Sequence, residues 1–193
     1  MLAPSKSLLY AGPMLSVVIE ADENAEGLAT TLASLVQAAV DGLVREVIVC
    51  DAATNDAIEI VADHAGCTYL PRSSARDGIK LARCDWLLLL EPGARLGDGW
   101  ADALYTLTAA DSVAMRFSCA PATRPSWVER WRQGRRPLRD GLVVLKARAL
   151  ATGHLTANDI ARSTRTRRVE GVIFAAPRQS LRHHVSNARR AGA

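Results

Sequence analysis

The run DWLLLLEPGARL, Asp85–Leu96, places five apolar residues, Trp86 to Leu90, between an aspartate and a Glu-Pro-Gly. Five residues are too few for an ordinary helix, and the Pro-Gly turn closes the run. It therefore predicts a buried central strand. In an open α/β sheet the carboxyl end of such a strand is where ligands bind. Glu91 stands at that end, and two readings of it stay open: a side chain that holds a ligand, or the first solvated residue after a strand.

The neighbouring sequence repeats the pattern. MLSVVIEAD reads as a buried strand ending on Glu20 and Asp22, and AEGLATTLASLVQAAV, Ala25–Val40, carries Leu28, Leu32, Leu35 and Val36 at helical spacing. REVIVCDAA, Arg45–Ala53, is a second strand ending on Asp51, followed by a helix capped at Thr54 or Asn55 and closed at Gly66. CTYLPRS predicts a short third strand, Ser74–Arg83 a short helix, Trp100–Ala109 another helix and SVAMRF a further strand. Strands alternating with helices predict an α/β fold, Rossmann-like, with a mostly parallel sheet and helices on both faces. Parallel strands all finish at one edge, so Glu20, Asp51 and Glu91 are expected at a common rim.

Past Arg116 the pattern weakens. PATRPSWVERWRQGRRPLRD reads as a loop and a short amphipathic helix in which Trp127 and Trp131 pack together; GLVVLKARAL is a strand entering a helix, TANDIARSTR a helix and RRVEGVIFAAP a strand. RQSLRHHVSNARRAG reads as a basic terminal helix, with His183 and His184 solvated or packed rather than metal-bound.

The chain has 193 residues, 49% of them hydrophobic, which suits one domain over 1–193 with a leader at 1–13. The net charge of +4 conceals an asymmetry: residues 1–119 carry 8 Lys and Arg against 16 Asp and Glu, and residues 120–193 carry 16 against 4. The basic 120–193 portion attracts anions such as nucleotide diphosphates or acidic lipid head groups. Nucleic acid is an unlikely partner, because the aromatic-basic interleaving of a known module is missing. Cys50, Cys67, Cys84 and Cys119 form no CxxC pair and read as small core residues. No apolar run approaches the length of a membrane span, so the expected location is cytoplasmic, with peripheral contact at the inner face of a membrane through the basic terminal helix.

No GxGxxG turn follows the first strand, and neither a P-loop nor a GxSxG elbow occurs, which argues against dehydrogenase, NTPase and α/β-hydrolase chemistry. In order and spacing, LSVVIEADENAEGLATTLASL, EVIVCDAATNDAIEIVADHAG, DWLLLLEPGARLGDGWADAL and RPLRDGLVVLKARALATGHL with ANDIARSTRTRRVEGVIF resemble a bacterial family 2 glycosyltransferase of the GT-A fold. The resemblance implies sugar transfer from a nucleotide-sugar donor, UDP-type favoured, to an acceptor hydroxyl with inversion. The implied acceptor is a saccharide or a lipid-linked molecule. By the same resemblance Asp51 contacts the nucleotide base, TND at Thr54–Asp56 stands for a Ser-Thr-Asp turn, Glu20 and Arg76 line the nucleotide pocket, and Asp159 is the general base. Glu91 stands where a divalent metal, Mg²⁺ or Mn²⁺, is held against the diphosphate.

The chain departs from the family at four places. Glu20 and Glu23-Asn24 replace a Pro and an Asn-Glu pair, Arg76 in SSARDGIKLARCD stands where a small polar residue would help hold the nucleotide, Glu91 and Gly93 replace the two aspartates of the Asp-x-Asp metal motif, and Asn158 replaces a Glu. One carboxylate is left at the metal turn, so an arginine is a candidate diphosphate cation: Arg72 or Arg76 on the near loop, or Arg162, Arg165 or Arg168 after Asp159. An inactive GT-A-like domain that binds a nucleotide sugar, an anionic surface or a protein partner is the alternative reading.

Overall fold

A computed structural model describes residues 14–21, 23–104, 113–123 and 136–177. The leader, Asp22, Trp127, Trp131, His183, His184, the terminal helix and the second half of the expected Trp100–Ala109 helix lie outside these residues. The chain runs through β1 (Leu15–Ala21), α1 (Ala25–Ala33), α2 (Val36–Val40), β2 (Val44–Asp51), α3 (Asp56–His64), β3 (Thr68–Pro71), α4 (Ala75–Leu81) and β4 (Trp86–Leu90). It continues through β5 (Arg95–Leu96), a 3-10 turn at Asp102–Leu104, β6 (Ala114–Cys119), β7 (Leu142–Leu145), α5 (Lys146–Ala151), α6 (Ala157–Ser163) and β8 (Thr166–Phe174).

The described strands form one eight-stranded sheet in the order β3-β2-β1-β4-β7-β6-β8-β5. Its first four strands are parallel, as the alternation of strands and helices requires. The other half is mixed: β7 runs antiparallel to both β4 and β6, β8 is parallel to β6, and β5 is antiparallel to β8. After β1 the chain builds outward to β2 and β3, then returns to place β4 on the other side of β1. The crevice at the carboxyl ends of β1 and β4 is thus a topological switch point, where open α/β sheets take their ligands.

Two cores flank the sheet, because successive strand residues point to opposite faces. Val17, Ile19, Leu88 and Leu90 pack with Leu28 and Leu32 of α1 and Ile58 and Ala62 of α3. Val18, Ile48, Leu87 and Leu89 pack on the other side with Ile79 of α4, Ala149 of α5 and Ile160 of α6. Trp86–Leu90 is buried throughout; Cys50, Cys84 and Cys119 are buried as expected, whereas Cys67 is only half-buried.

The expected helix over Ala25–Val40 is broken at Ser34–Leu35. Ser34 N–H bonds to the Thr31 carbonyl and Leu35 N–H to the Leu32 carbonyl, the tighter i→i−3 pattern of a 3-10 turn. The Ser34 hydroxyl then accepts from Leu96 N–H at 3.3 Å, which ties the break to β5. Among the described residues, no helix is long and apolar enough to cross a membrane.

Candidate active site

Glu20 is the last outward step of β1 before its terminal Ala21. It shares the face of Val18, so its carboxylate points toward α4 and α6 rather than α1. There it accepts from the backbone N–H of Ala75 at 3.3 Å and of Ala157 at 3.0 Å, the first residues of α4 and α6. These amino-terminal N–H groups have no partner within their own helices, and a carboxylate is the favoured acceptor for them. One side chain therefore fixes two helix starts, drawn from residues 55 and 137 positions away, at the carboxyl end of β1. Glu20 was expected in the nucleotide pocket; here its carboxylate bonds the backbone of two helix starts.

Asp159 lies in the first turn of α6, brought to this rim by the Ala157 contact. Thr156, the N-cap, donates its hydroxyl to Asp159 Oδ2 at 2.8 Å and accepts from Asp159 N–H at 3.2 Å, a local capping arrangement. Oδ1 faces the Arg162 guanidinium at 3.8 Å, and the Asp159 side chain is 47% exposed.

Asp51 ends β2 on the opposite face of the sheet from Glu20, and it is fully buried, at 0% exposure. Its Oδ1 accepts from Ala53 N–H at 2.8 Å, and its Oδ2 accepts from Asn55 N–H at 2.6 Å and the Tyr69 hydroxyl at 2.9 Å. Burial pushes the carboxyl up, but the N–H groups of Asn55 and Ala53, the Tyr69 hydroxyl and the Thr54 N–H outweigh it and hold it below the ordinary aspartate value. The turn so closed keeps Thr54 at φ +65°, unusual for a β-branched residue. Asn55 caps α3 by accepting from Ala57 N–H, and Asp56 is exposed in the first turn of that helix.

The two near-loop arginines differ. Arg76 donates to the Leu150 carbonyl at 3.2 Å and so ties α4 to the end of α5, while Arg72 is exposed in a left-handed turn at φ +50°. Asn24, part of the altered first-strand motif, caps α1 by accepting from Gly27 N–H at 2.8 Å.

Glu91 settles the question raised by its strand: it is buried, not solvated. Its carboxylate pairs with Arg136, whose other terminal nitrogen donates to the Ala176 carbonyl at 3.2 Å. Spacing alone does not signal Arg136, 45 residues away. The signal available was energetic, because a carboxylate enclosed at the end of a buried strand requires a cation. The turn itself is rigid: Gly93 N–H donates to the Gly27 carbonyl and to the Thr31 hydroxyl, both at 2.8 Å.

The donor set here does not suit a divalent cation, which takes several oxygen ligands. Glu91 is already engaged by a guanidinium, and the position of a second carboxylate is Gly93, at φ +92°. A Cβ there would meet Ala176 Cβ at 3.2 Å and Pro177 Cδ at 3.3 Å, so the segment after β8 fills the space. Among the described residues no group of three or more His, Cys, Asp or Glu side chains clusters as metal ligands.

No protein-family model and no curated protein sequence matches the chain. Solved structures do. Mannosyl-3-phosphoglycerate synthase from Rubrobacter xylanophilus superposes with a TM-score of 0.59 at 13% identity, over 86% of this chain and 68% of that one. Glucosyl-3-phosphoglycerate synthase from Mycobacterium tuberculosis, solved with Mg²⁺ and UDP, gives 0.60 at 16% identity, over 89% and 74%. The same enzyme with Mn²⁺, UDP-glucose and phosphoglyceric acid gives 0.55 at 16% identity, over 89% and 74%. The mixed, two-faced sheet of this chain is the GT-A glycosyltransferase fold.

Proposed function

We propose that the chain binds a nucleotide-sugar donor, UDP-type favoured, at the carboxyl ends of β1, β2 and β4, and transfers its sugar to an acceptor hydroxyl with inversion. The observation that supports this reading is the pair of hydrogen bonds that Glu20 accepts from Ala75 N–H and Ala157 N–H, which holds the first turn of the Asp159 helix beside the end of β1. Asp159 is half-exposed there, as a general base must be. It takes the acceptor's proton as the hydroxyl oxygen bonds to the anomeric carbon, while the carbon–oxygen bond to the diphosphate breaks and the diphosphate keeps the electron pair. UDP in the solved structures of the same fold supports the donor class. The acceptor, a saccharide or lipid-linked hydroxyl compound, would meet the basic 120–193 portion, with peripheral contact at the inner face of a membrane.

A second reading, binding without turnover, is favoured by the turn after β4, where Glu91 is paired with Arg136 and a glycine, Gly93, leaves no second carboxylate for a metal that would assist departure of the diphosphate. One experiment separates the two. Nucleotide release from UDP-, GDP- and dTDP-sugars is assayed alongside calorimetric binding, for the wild type and Asp159→Asn. Transfer chemistry predicts turnover that D159N lowers by about 100-fold or more with nucleotide affinity intact. Saturable binding with no release from the wild type supports the second reading and overturns the first.

A further inference from the structure

We propose that Arg136, held in place by Glu91 and the Ala176 carbonyl, is the cation that receives the donor diphosphate, and that donor binding needs no divalent metal. This rests on the donor-binding reading above and deepens it.

Three observations carry it. First, the turn has few ligands to offer a metal: its one carboxylate is paired with a guanidinium, and the position of a second is a glycine packed against Ala176 and Pro177. Second, the charges balance. Against the two-aspartate pattern this turn has one carboxylate fewer, and a guanidinium in place of a divalent ion supplies one positive charge fewer. The net formal charge of the turn is then the same. Third, the pair is asymmetric: the Arg136 side chain is 30% exposed and the Glu91 side chain 10%. Of the two side chains, the arginine is the more accessible to a ligand. Two anchored terminal nitrogens fix the plane of the guanidinium, so little side-chain entropy is left to lose on binding, and the second N–H on each terminal nitrogen can serve phosphate oxygens. The arginine lies at the end of β4, one strand from Glu20: Ile19 pairs with Leu90, which sets Glu20 level with Glu91 across the crevice.

Arg116 does a different task. It donates to the carbonyls of Pro137 and Ala161, clamping the Arg136-bearing segment to α6. That clamp ties the diphosphate cation to the helix of Asp159.

The test is calorimetric titration of UDP, GDP and dTDP, with the parent nucleosides as controls, into the wild type, Arg136→Gln and Glu91→Gln, each with a chelator and with Mg²⁺ or Mn²⁺. The diphosphate that binds the wild type is expected to do so equally with metal or chelator. R136Q should weaken it roughly tenfold or more, the loss of a charge-assisted contact, and leave the nucleoside unchanged. E91Q keeps an oxygen that can hold the arginine and removes only the neutralising charge, so it should tighten the diphosphate, whereas a metal ligand at that position would make E91Q weaken it. E91Q also covers the case in which R136Q fails to fold. Affinity that rises tenfold with metal, or an E91Q variant that binds more weakly, overturns the inference and leaves the donor reading standing. Failure of all three diphosphates to bind the wild type overturns both.

Discussion

Replacing Asp51 by Asn keeps the shape of the side chain and removes its charge, which makes it a sharp probe of the β2–α3 turn. The carboxylate serves Ala53 N–H, Asn55 N–H and the Tyr69 hydroxyl from a site with no exposure. The amide has one acceptor oxygen, and its NH₂ group must then face a backbone N–H. The tyrosine hydroxyl can rotate to accept, but a backbone N–H cannot. A lost hydrogen bond to a charged group costs about 1.5–3 kcal/mol, and a buried N–H left unpaired a further ~1–3 kcal/mol. We expect a net loss of about 3 kcal/mol, a large share of the ~5–15 kcal/mol that holds a domain folded. Urea unfolding followed by far-UV circular dichroism measures it, with the m-value as a check that the unfolded state is unchanged. The pH dependence adds a second requirement. Because the folded carboxyl titrates below its unfolded counterpart, its stabilisation is complete above the unfolded value of about 3.9 and is lost as pH falls through the folded value. The gap between wild type and D51N must therefore be full at neutral pH and narrow in acid. A gap under ~1 kcal/mol at neutral pH, against the cost of a charged bond, or one that does not narrow in acid, would refute the assignment of Asp51 as the anchor of this turn.

Two further outcomes follow from the scaffold. Glu20→Ala removes the acceptor for Ala75 N–H and Ala157 N–H and should cost about 2–3 kcal/mol, with Glu20→Gln costing less because it keeps one oxygen; equal losses in the same urea assay would contradict this. Gly78→Ala in α4 would place a Cβ 2.5 Å from Cys50 Sγ, so it should destabilise by ~1–3 kcal/mol; adding Cys50→Ala should recover at least half, and simple additivity of the two losses would show that the two residues do not meet.

The elements that could be read directly are those whose information is local. Trp86–Leu90 and Leu15–Ala21 are short apolar runs closed by acids, and the α3 cap at Asn55 and the start of α6 at Thr156 follow from side chains that bond their own neighbours. The single helix expected over Ala25–Val40 is interrupted at Ser34, whose hydroxyl donates to the Thr31 carbonyl and accepts from Leu96 N–H, 62 residues on, a contact that no periodicity reveals. Strand β5 escaped notice for the same reason: two residues become a strand only by pairing with β8, where Arg95 lies over the Phe174 ring at 5.2 Å.

By itself, then, the amino-acid order determined that strands and helices alternate and that β1, β2 and β4 finish on carboxylates. These follow from burial, backbone geometry and chain direction, all encoded within a dozen residues. Only the tertiary structure decided what each carboxylate meets. Glu20 joins two helix starts, Asp51 turns to the opposite face and closes its own loop, and Glu91 meets Arg136. The pairing of charges depends on which distant segments fold over the sheet, and a cation's partner is chosen by distance in space, not along the chain.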